Sequence, residues 1–365
     1  MGFPRNDFIT KAKDLGHSDV FISECLKYAN TLESKGLPVI FNQDHLSFLL
    51  GKDYRYLKDL VNSRSCYYKY FAIKKRAGGL RRIMSPYSEL HDIQTWIKES
   101  ILDNIEQPIY VTAFAKGRST LENARIHENR KYILKVDMSN FFETIGVKRV
   151  YRAFKKMGYE NGVSSWLANL CTAEIVLYKY DQLANQEGVQ QLFEQLIYKS
   201  EPFLIQGAPT SPGLANIICY RLDRRMVGLA NKHGFNYSRY ADDMTFSSDS
   251  KDHLPKVSMI KRIVESEGFT LKDEKTVYLH EGNRQIVTGL LVDKRVRVPG
   301  SYKKDILRHI HFCQKFGGRE HFGRFAPDKA YGKEWLAGRI RYVYSVEPDA
   351  AKRLWLEFEK IDWGY

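Results

Sequence analysis

The sequence is short of cysteine. Its five, Cys25, Cys66, Cys171, Cys219 and Cys313, are odd in number, scattered and never in a C-x-x-C pair. That argues against a disulfide frame or a thiolate zinc site and fits reduced thiols in a cytoplasmic setting. Long apolar runs are missing too. Although 43% of the residues are hydrophobic, nothing approaches the roughly 18–20 consecutive apolar residues of a membrane span. The opening Met1-Gly2-Phe3-Pro4-Arg5-Asn6 makes no secretory signal, and Asn6 breaks the myristoylation pattern. A soluble cytoplasmic chain with no membrane partner is expected. There is no internal repeat and no low-complexity linker.

What is present is positive charge. The 365 residues carry a net +14, which favours a polyanion as partner. Lys294 to Arg341 holds 13 Lys/Arg against four Asp/Glu, or +9 of the total, interleaved with Tyr302, Phe312, Phe316, Phe322, Phe325, Tyr331 and Trp335. Basic groups bind phosphates and aromatic faces stack on bases, so nucleic acid is the expected ligand. The plain alternative is a solvated basic face over an ordinary core.

The length allows two or three domains. Apolar spacing predicts helices through residues 6–64, including 19–32 and 44–50. Residues 67–73 and 80–83 read as strands around a Gly78-Gly79 turn, with Pro86 ending the hairpin, and 88–104 as a helix. A strand is expected over 132–138, and helices over 147–157, 162–171 and 186–199. Ser211-Pro212 reads as a capped helix start, with a buried stripe from Leu214 to Leu229 and a stop at Gly234. Residues 237–247 read as a hairpin, 256–267 as a helix, 285–292 as a strand paired with 295–298, and 301–316 and 333–362 as helices. The order predicts an α+β fold: an antiparallel sheet backed by helices, with helical material at both ends.

Tyr240-Ala241-Asp242-Asp243 lies between apolar strand residues. Adjacent carboxylates repel unless a cation or solvent offsets them, although Asp is also common in plain turns. Asp137 closes the apolar strand from Tyr132, where an unpartnered charge is costly. If the two strands pair, Asp137 is expected to face Asp242, and the three carboxylates would hold two Mg²⁺, one activating a hydroxyl and one holding a triphosphate. Gln206-Gly207-Ala208-Pro209-Thr210-Ser211-Pro212 offers a close backbone approach to a ligand. Lys74-Lys75-Arg76-Ala77-Gly78-Gly79-Leu80-Arg81-Arg82-Ile83 makes a basic hairpin suited to a triphosphate.

Taken together, over about residues 65–300, these motifs resemble reverse transcriptases. The resemblance implies a right-hand polymerase: a helical N-terminal region (1–64), fingers (65–131, with part of 147–212), a palm with antiparallel sheet (132–299, including an insertion near 174–203) and a helical thumb (300–365). It implies catalytic Asp137, Asp242 and Asp243 on two Mg²⁺ ions (Mn²⁺ as substitute), with the Met138 carbonyl as a further metal contact. Lys275 matches a lysine that protonates pyrophosphate. Lys74, Lys75 and Arg81 match fingers contacts to the dNTP, Gln206 and Gly207 its lining loop, and Phe142 the aromatic gate against a ribose 2′-OH.

Asn123-Ala124-Arg125-Ile126-His127 and Val287-Thr288-Gly289 resemble motifs of bacterial retron reverse transcriptases, which are tied to RNA and primer. The implied activity is synthesis of branched multicopy single-stranded DNA (msDNA) from a cognate noncoding RNA (msr-msd), primed by a guanosine 2′-OH. The implied setting is anti-phage defence with an effector or toxin protein, and the same resemblance extends to a higher-order oligomer with that effector. RNA grip falls to Lys303, Lys304, Arg308, Arg339 and Arg341. The long insertion suggests an effector-docking or oligomer contact, or else a tolerated surface insertion. The alternatives are a group II intron-like or other defence-associated reverse transcriptase, or an RNA-binding scaffold that restrains an effector.

Overall fold

The computed structural model describes residues 3–75, 78–184, 186, 188–325 and 331–364. Arg76 and Ala77 of the basic hairpin, Glu187 of the insertion and the Phe325 side chain lie outside the described residues. The strands among them are β1 (Tyr68–Lys74), β2 (Leu80–Pro86), β3 (Tyr132–Asp137), β4 (Thr172–Ala173), β5 (Phe203–Leu204), β6 (Asn236–Tyr240), β7 (Asp243–Ser248), β8 (Val277–His280), β9 (Ile286–Val287) and β10 (Leu290–Leu291). The chain divides into two compact units. Unit 1 takes Met1–Lys116, Met138–Met226 and Ser258–Lys272; unit 2 takes Gly117–Asp137, Val227–Val257 and Asp273–Tyr365.

Unit 1 begins with helices Arg5–Asp14, Asp19–Glu33, Gln43–Leu49 and Tyr54–Ser63. The last three start on Ser18, Asn42 and Asp53, whose side chains accept from backbone N–H groups of the first turn, the groups a helix leaves without internal partners. β1 and β2 pair from Tyr68↔Pro86 to Lys74↔Leu80. Gly78 and Gly79 turn the hairpin at φ +90° and +76°, a region that glycine enters without steric cost. The insertion forms helices Leu177–Asp181 and Gln190–Ile197 and packs on this hairpin. Phe193 is fully buried and stacks on Tyr70 with centroids 5.4 Å apart, and Lys179 donates to the carbonyls of Cys66 and Tyr68.

The helix expected to run from Ser211 to Gly234 is two helices, Ser211–Ile218 and Tyr220–His233, that meet at Cys219. Ser211 does not cap. It already lies in the first turn, and Thr210 before it is right-handed (φ −82°, ψ −25°) with no side-chain cap bond, whereas a capping side chain reaches the first N–H groups from an extended backbone.

Unit 2 is built on a four-stranded sheet of order β6-β7-β3-β8, antiparallel throughout. The strand expected over 285–292 is a hairpin instead. Thr288 and Gly289, at φ +46° and +84°, turn β9 into β10, and two consecutive positive-φ residues close a two-residue loop that matches strand twist. Of the expected pairing with 295–298, a single bridge, Leu291↔Arg297, is present. Helices Gly300–Phe316, Gly318–Phe325, Gly332–Val346 and Pro348–Phe358 bury Ile306, Ile310, Leu336, Ile340 and Leu354 in a core shared with Ile133, Val287 and Leu290. No helix among the described residues is long and apolar enough to cross a membrane. All five cysteines are free thiols.

Candidate active site

β3 and β7 pair in register from Tyr132↔Ser248 to Asp137↔Asp243. The residue opposite Asp137 is therefore Asp243, not the expected Asp242. Tyr240 pairs with Asp243, which leaves Ala241 and Asp242 as the two loop residues. Because side chains alternate along a strand, a one-residue difference in loop placement decides which carboxylate faces across. Ala241 sits at φ +58°, a conformation that costs a non-glycine residue about 1 kcal/mol or more. The fully buried Arg239 donates from Nη1 to its carbonyl at 3.1 Å.

The electrostatics follow from this crowding. Burial first, then the neighbouring charge of Asp242, push the Asp243 carboxyl up to about 6; Lys135 opposes the rise and Asp137, which shares a hydrogen bond with Asp243, adds to it. Lys135 lies two residues before Asp137 on β3, opposite Thr245 and Val277, and so shares the carboxylate face. Asp137 is buried, and Lys275 Nζ donates to its Oδ2 at 2.6 Å. Burial alone would lower the Lys275 ammonium, but the bond to Asp137 and the charges of all three aspartates outweigh it and raise the group. Among the described residues, no group of three or more His, Cys, Asp or Glu is arranged to hold a metal ion. The donor chemistry nonetheless fits a divalent cation: hard carboxylate oxygens on adjacent strands, one of them pushed toward protonation by burial and then by its acidic neighbours.

The remaining nucleotide candidates lie in unit 1. Lys74, Lys75 and Arg81 are exposed on the β1–β2 hairpin. Arg82, which sequence reading passed over, turns the other way: it pairs with Glu143 at 2.9 Å and donates to Asn140 Oδ1 at 2.8 Å, bracing the turn that carries Phe142. Strand alternation separates Arg81 from Arg82 but does not say which one turns inward. Phe142 is half-buried beside Phe141 and Phe114. The Gln206 carbonyl accepts from Met84 N at 3.0 Å. Gly207 follows at φ +120°, where an added Cβ would stand 2.7 Å from the Met84 carbonyl oxygen. Met138 bridges Leu271, also within unit 1.

Several of the expected RNA contacts are spent on partners within the chain. Asn123 and His127 are buried at 1% and 0% exposure, so neither offers an edge to RNA here. His127 bonds Ser247 and Ser238, and Asn123 bonds Ser238 and Thr288. Val287 is core, while Gly289 stands in the β9–β10 turn. In the C-terminal helices, Lys303 pairs with Glu347 at 3.0 Å and Arg339 with Asp305 at 2.6 Å, and Arg308 also pairs with Asp305. Arg339 is further held over the rings of Tyr302 and Trp335. Lys304 and Arg341 are exposed and make no ion pair among the described residues.

Comparison with known proteins decides the family. A family model described as reverse transcriptase (RNA-dependent DNA polymerase) matches residues 73–308. The Retron Mx65 reverse transcriptase of Myxococcus xanthus is 31% identical over 324 residues, covering 87% of this chain and 71% of that protein. The chain belongs to the retron-type reverse transcriptases. This reverse transcriptase is also 29% identical to the Retron Ec86 enzyme of Escherichia coli, over 93% of its own length and 96% of the relative's. It is 32% identical to the Retron Mx162 enzyme of Myxococcus xanthus, over 81% of its length but only 61% of that protein. A telomerase from Candida albicans, solved with a TWJ fragment of telomeric RNA, is 13% identical with a TM-score of 0.41 over 83% of this chain and 61% of that one, too remote to support an argument. The fold is that of the family, an α+β right-hand polymerase with an antiparallel sheet backed by helices.

Proposed function

We propose that this reverse transcriptase copies part of a cognate structured noncoding RNA into DNA, starting from a guanosine 2′-OH and giving a branched RNA–DNA product. The observation that carries the polymerase part of this reading is the register pairing of Asp137 with Asp243, with Asp242 beside it in the turn; the priming and the branch rest on the resemblance to retron enzymes. In this reading Asp137, Asp242 and Asp243 hold two Mg²⁺ ions, with Mn²⁺ able to replace them and the Met138 carbonyl as a further ligand. The ions supply charge neutralisation at the attacking and leaving oxygens. The chain's own residues do the rest. Lys275 hands a proton from Nζ to the departing pyrophosphate. Lys74, Lys75 and Arg81 hold the triphosphate of the dNTP. Gln206 and Gly207 line the nucleotide, and the Phe142 ring stands where a ribose 2′-OH would intrude. Residues 65–131 serve as fingers, 132–299 as palm and 300–365 as thumb, with Lys304 and Arg341 gripping RNA phosphates. A role in anti-phage defence, with an effector protein restrained by the enzyme and its msDNA, belongs to the same reading and rests on resemblance alone.

The test is extension by purified full-length chain with its RNA, MgCl₂ and dNTPs, followed by sequencing of the product. Asp242→Asn and Asp243→Asn are expected to abolish extension while RNA binding persists, and the wild-type DNA is expected to be joined to RNA through a 2′–5′ branch. Normal extension by either variant removes the metal assignment. A linear, unbranched product removes the priming assignment.

A further inference from the structure

Five side chains of unit 2, four of them buried, form one directed hydrogen-bond chain. Ser238 Oγ donates to Asn123 Oδ1 at 2.6 Å. Its proton is thereby used, so its contact with His127 Nε2 at 2.7 Å must be accepted by Ser238 and donated by the ring. His127 therefore carries its proton on Nε2. Burial pushes the imidazole pKa down to about 3, so the ring is neutral and Nδ1 accepts the 2.7 Å bond from Ser247 Oγ. On the far side, Asn123 Nδ2 donates to Thr288 Oγ1 at 3.4 Å, and Thr288 Oγ1 donates to the Thr120 carbonyl at 3.0 Å. Every member has one direction available, and the chain ends on a backbone oxygen.

The placement of this chain matters more than its length. Ser238 pairs with Thr245, and Asn236 with Ser247, so the two serines lie diagonally on one face of the β6–β7 hairpin and the imidazole bridges them. From Ser247 that face runs through Thr245 to Asp243, and across the sheet through Lys135 to Asp137. It is the face that presents the carboxylates. The turn between the strands has only two residues, one of them Ala241 at positive φ. A hairpin with a strained turn keeps its register only if its surroundings hold it. A slip by one residue would send Asp243 to the other face and strand the buried hydroxyls of Ser238 and Ser247.

We propose that His127, as its Nε2–H tautomer, is a positioning residue that locks β6 to β7 in the register that sets Asp243 opposite Asp137, with Asn123 and Thr288 as its anchors. The two motifs that resemble those of retron enzymes are then internal struts of the aspartate hairpin. This rests on reading the aspartates as a metal site, and the test reads metal binding directly.

Mn²⁺ binding to the full-length protein is titrated by electron paramagnetic resonance, with Asp243→Asn as the impaired control, beside dNTP steady-state kinetics and RNA binding. His127→Ala is expected to weaken apparent Mn²⁺ affinity by about tenfold, as loss of an outer support of a metal ligand does. kcat is expected to fall by about the same factor, while KM for dTTP and RNA affinity stay within about twofold. Amide exchange of residues 240–243 is expected to speed up. His127→Gln, whose amide keeps one donor and one acceptor, is expected to recover part of the loss. If His127→Ala does not fold, Ser238→Ala and Ser247→Ala each remove one link and carry the same comparison. Unchanged Mn²⁺ affinity and exchange in the folded variants would overturn the proposal, as would a loss confined to RNA binding. A wild-type chain that binds Mn²⁺ but makes no DNA would overturn the polymerase reading and leave this one standing.

Discussion

Lys275 Nζ donates a 2.6 Å hydrogen bond to Oδ2 of Asp137. The ammonium is thus, with Lys135, an internal counter-charge of the aspartate cluster, half exposed while its partner is buried. A divalent cation on Asp137 competes with it. Lys275→Met is therefore expected to act in two opposite directions. Mg²⁺ affinity rises by about threefold to tenfold, since one positive charge a few ångströms away is removed and solvent screens much of its effect. The extension rate falls by about 10²-fold or more, the usual contribution of a positioned proton donor. Titrating Mg²⁺ in a primer-extension assay gives both numbers. A variant that lost affinity as well as rate would place Lys275 in support of the site's structure instead.

Asp243 gives a pH prediction. Its folded-state pKa of about 6 stands above the ordinary 3.8, so between those values the folded chain binds the extra proton and stability falls as pH rises. Above pH 6 the charged carboxylate costs up to about 3 kcal/mol, from two units at roughly 1.4 kcal/mol each. Asp243→Asn is expected to raise the melting temperature by several degrees at pH 7.5 without divalent ions. The gain should fade toward pH 4, where the wild type is protonated, and shrink in 10 mM MgCl₂. Thermal melts of both proteins across pH 4–8 test this. A stabilisation that did not depend on pH would contradict the electrostatic cause.

Gly207 is packed directly against another stretch of backbone. An added Cβ would sit 2.7 Å from the Met84 carbonyl oxygen and 2.9 Å from Ile83, at φ +120°. Neither can yield cheaply, because the Gln206 carbonyl and Met84 N are already bonded. Gly207→Ala is expected to lose at least about 2 kcal/mol and to raise KM for dNTPs more than it lowers kcat. Denaturant melts and steady-state kinetics on the soluble fraction measure the two effects.

Periodicity made much of this legible. The aromatic strand through Tyr68 and Tyr70, the Gly78-Gly79 turn, the strand ending at Asp137 and the helix end at Gly234 all depend on local rules, which a single sequence carries. What depended on distant or one-residue facts was not legible. Whether Asp242 or Asp243 faces Asp137 turns on a two-residue loop. The strand expected through Val287-Thr288-Gly289 looked continuous because β-branched residues precede a glycine that in fact closes a hairpin. The insertion looked like a free surface because its polar residues hide Phe193, a ring that docks on Tyr70. The serines that hold His127 lie 111 and 120 residues beyond it and resemble ordinary strand positions.

Ion pairing across distant helices also divides the five candidate RNA cations. Lys303 reaches Glu347, 44 residues on, and Arg339 reaches Asp305, 34 residues back, so the charge run overstated what is available to phosphate. Lys304→Gln and Arg341→Gln are expected to weaken RNA binding at every sequence tested and to lower the slope of log affinity against log salt by about 1 each, while melting stays unchanged. Lys303→Gln is expected to do the reverse. Glu347, which also accepts from Val298 N at 2.8 Å, loses its counter-charge, and stability drops by about 1–2 kcal/mol with the salt slope intact. Filter binding between 50 and 300 mM KCl, run beside melts of the same proteins, separates the classes. Equal salt slopes for Lys303→Gln and Lys304→Gln would show that the pair with Glu347 opens when RNA binds.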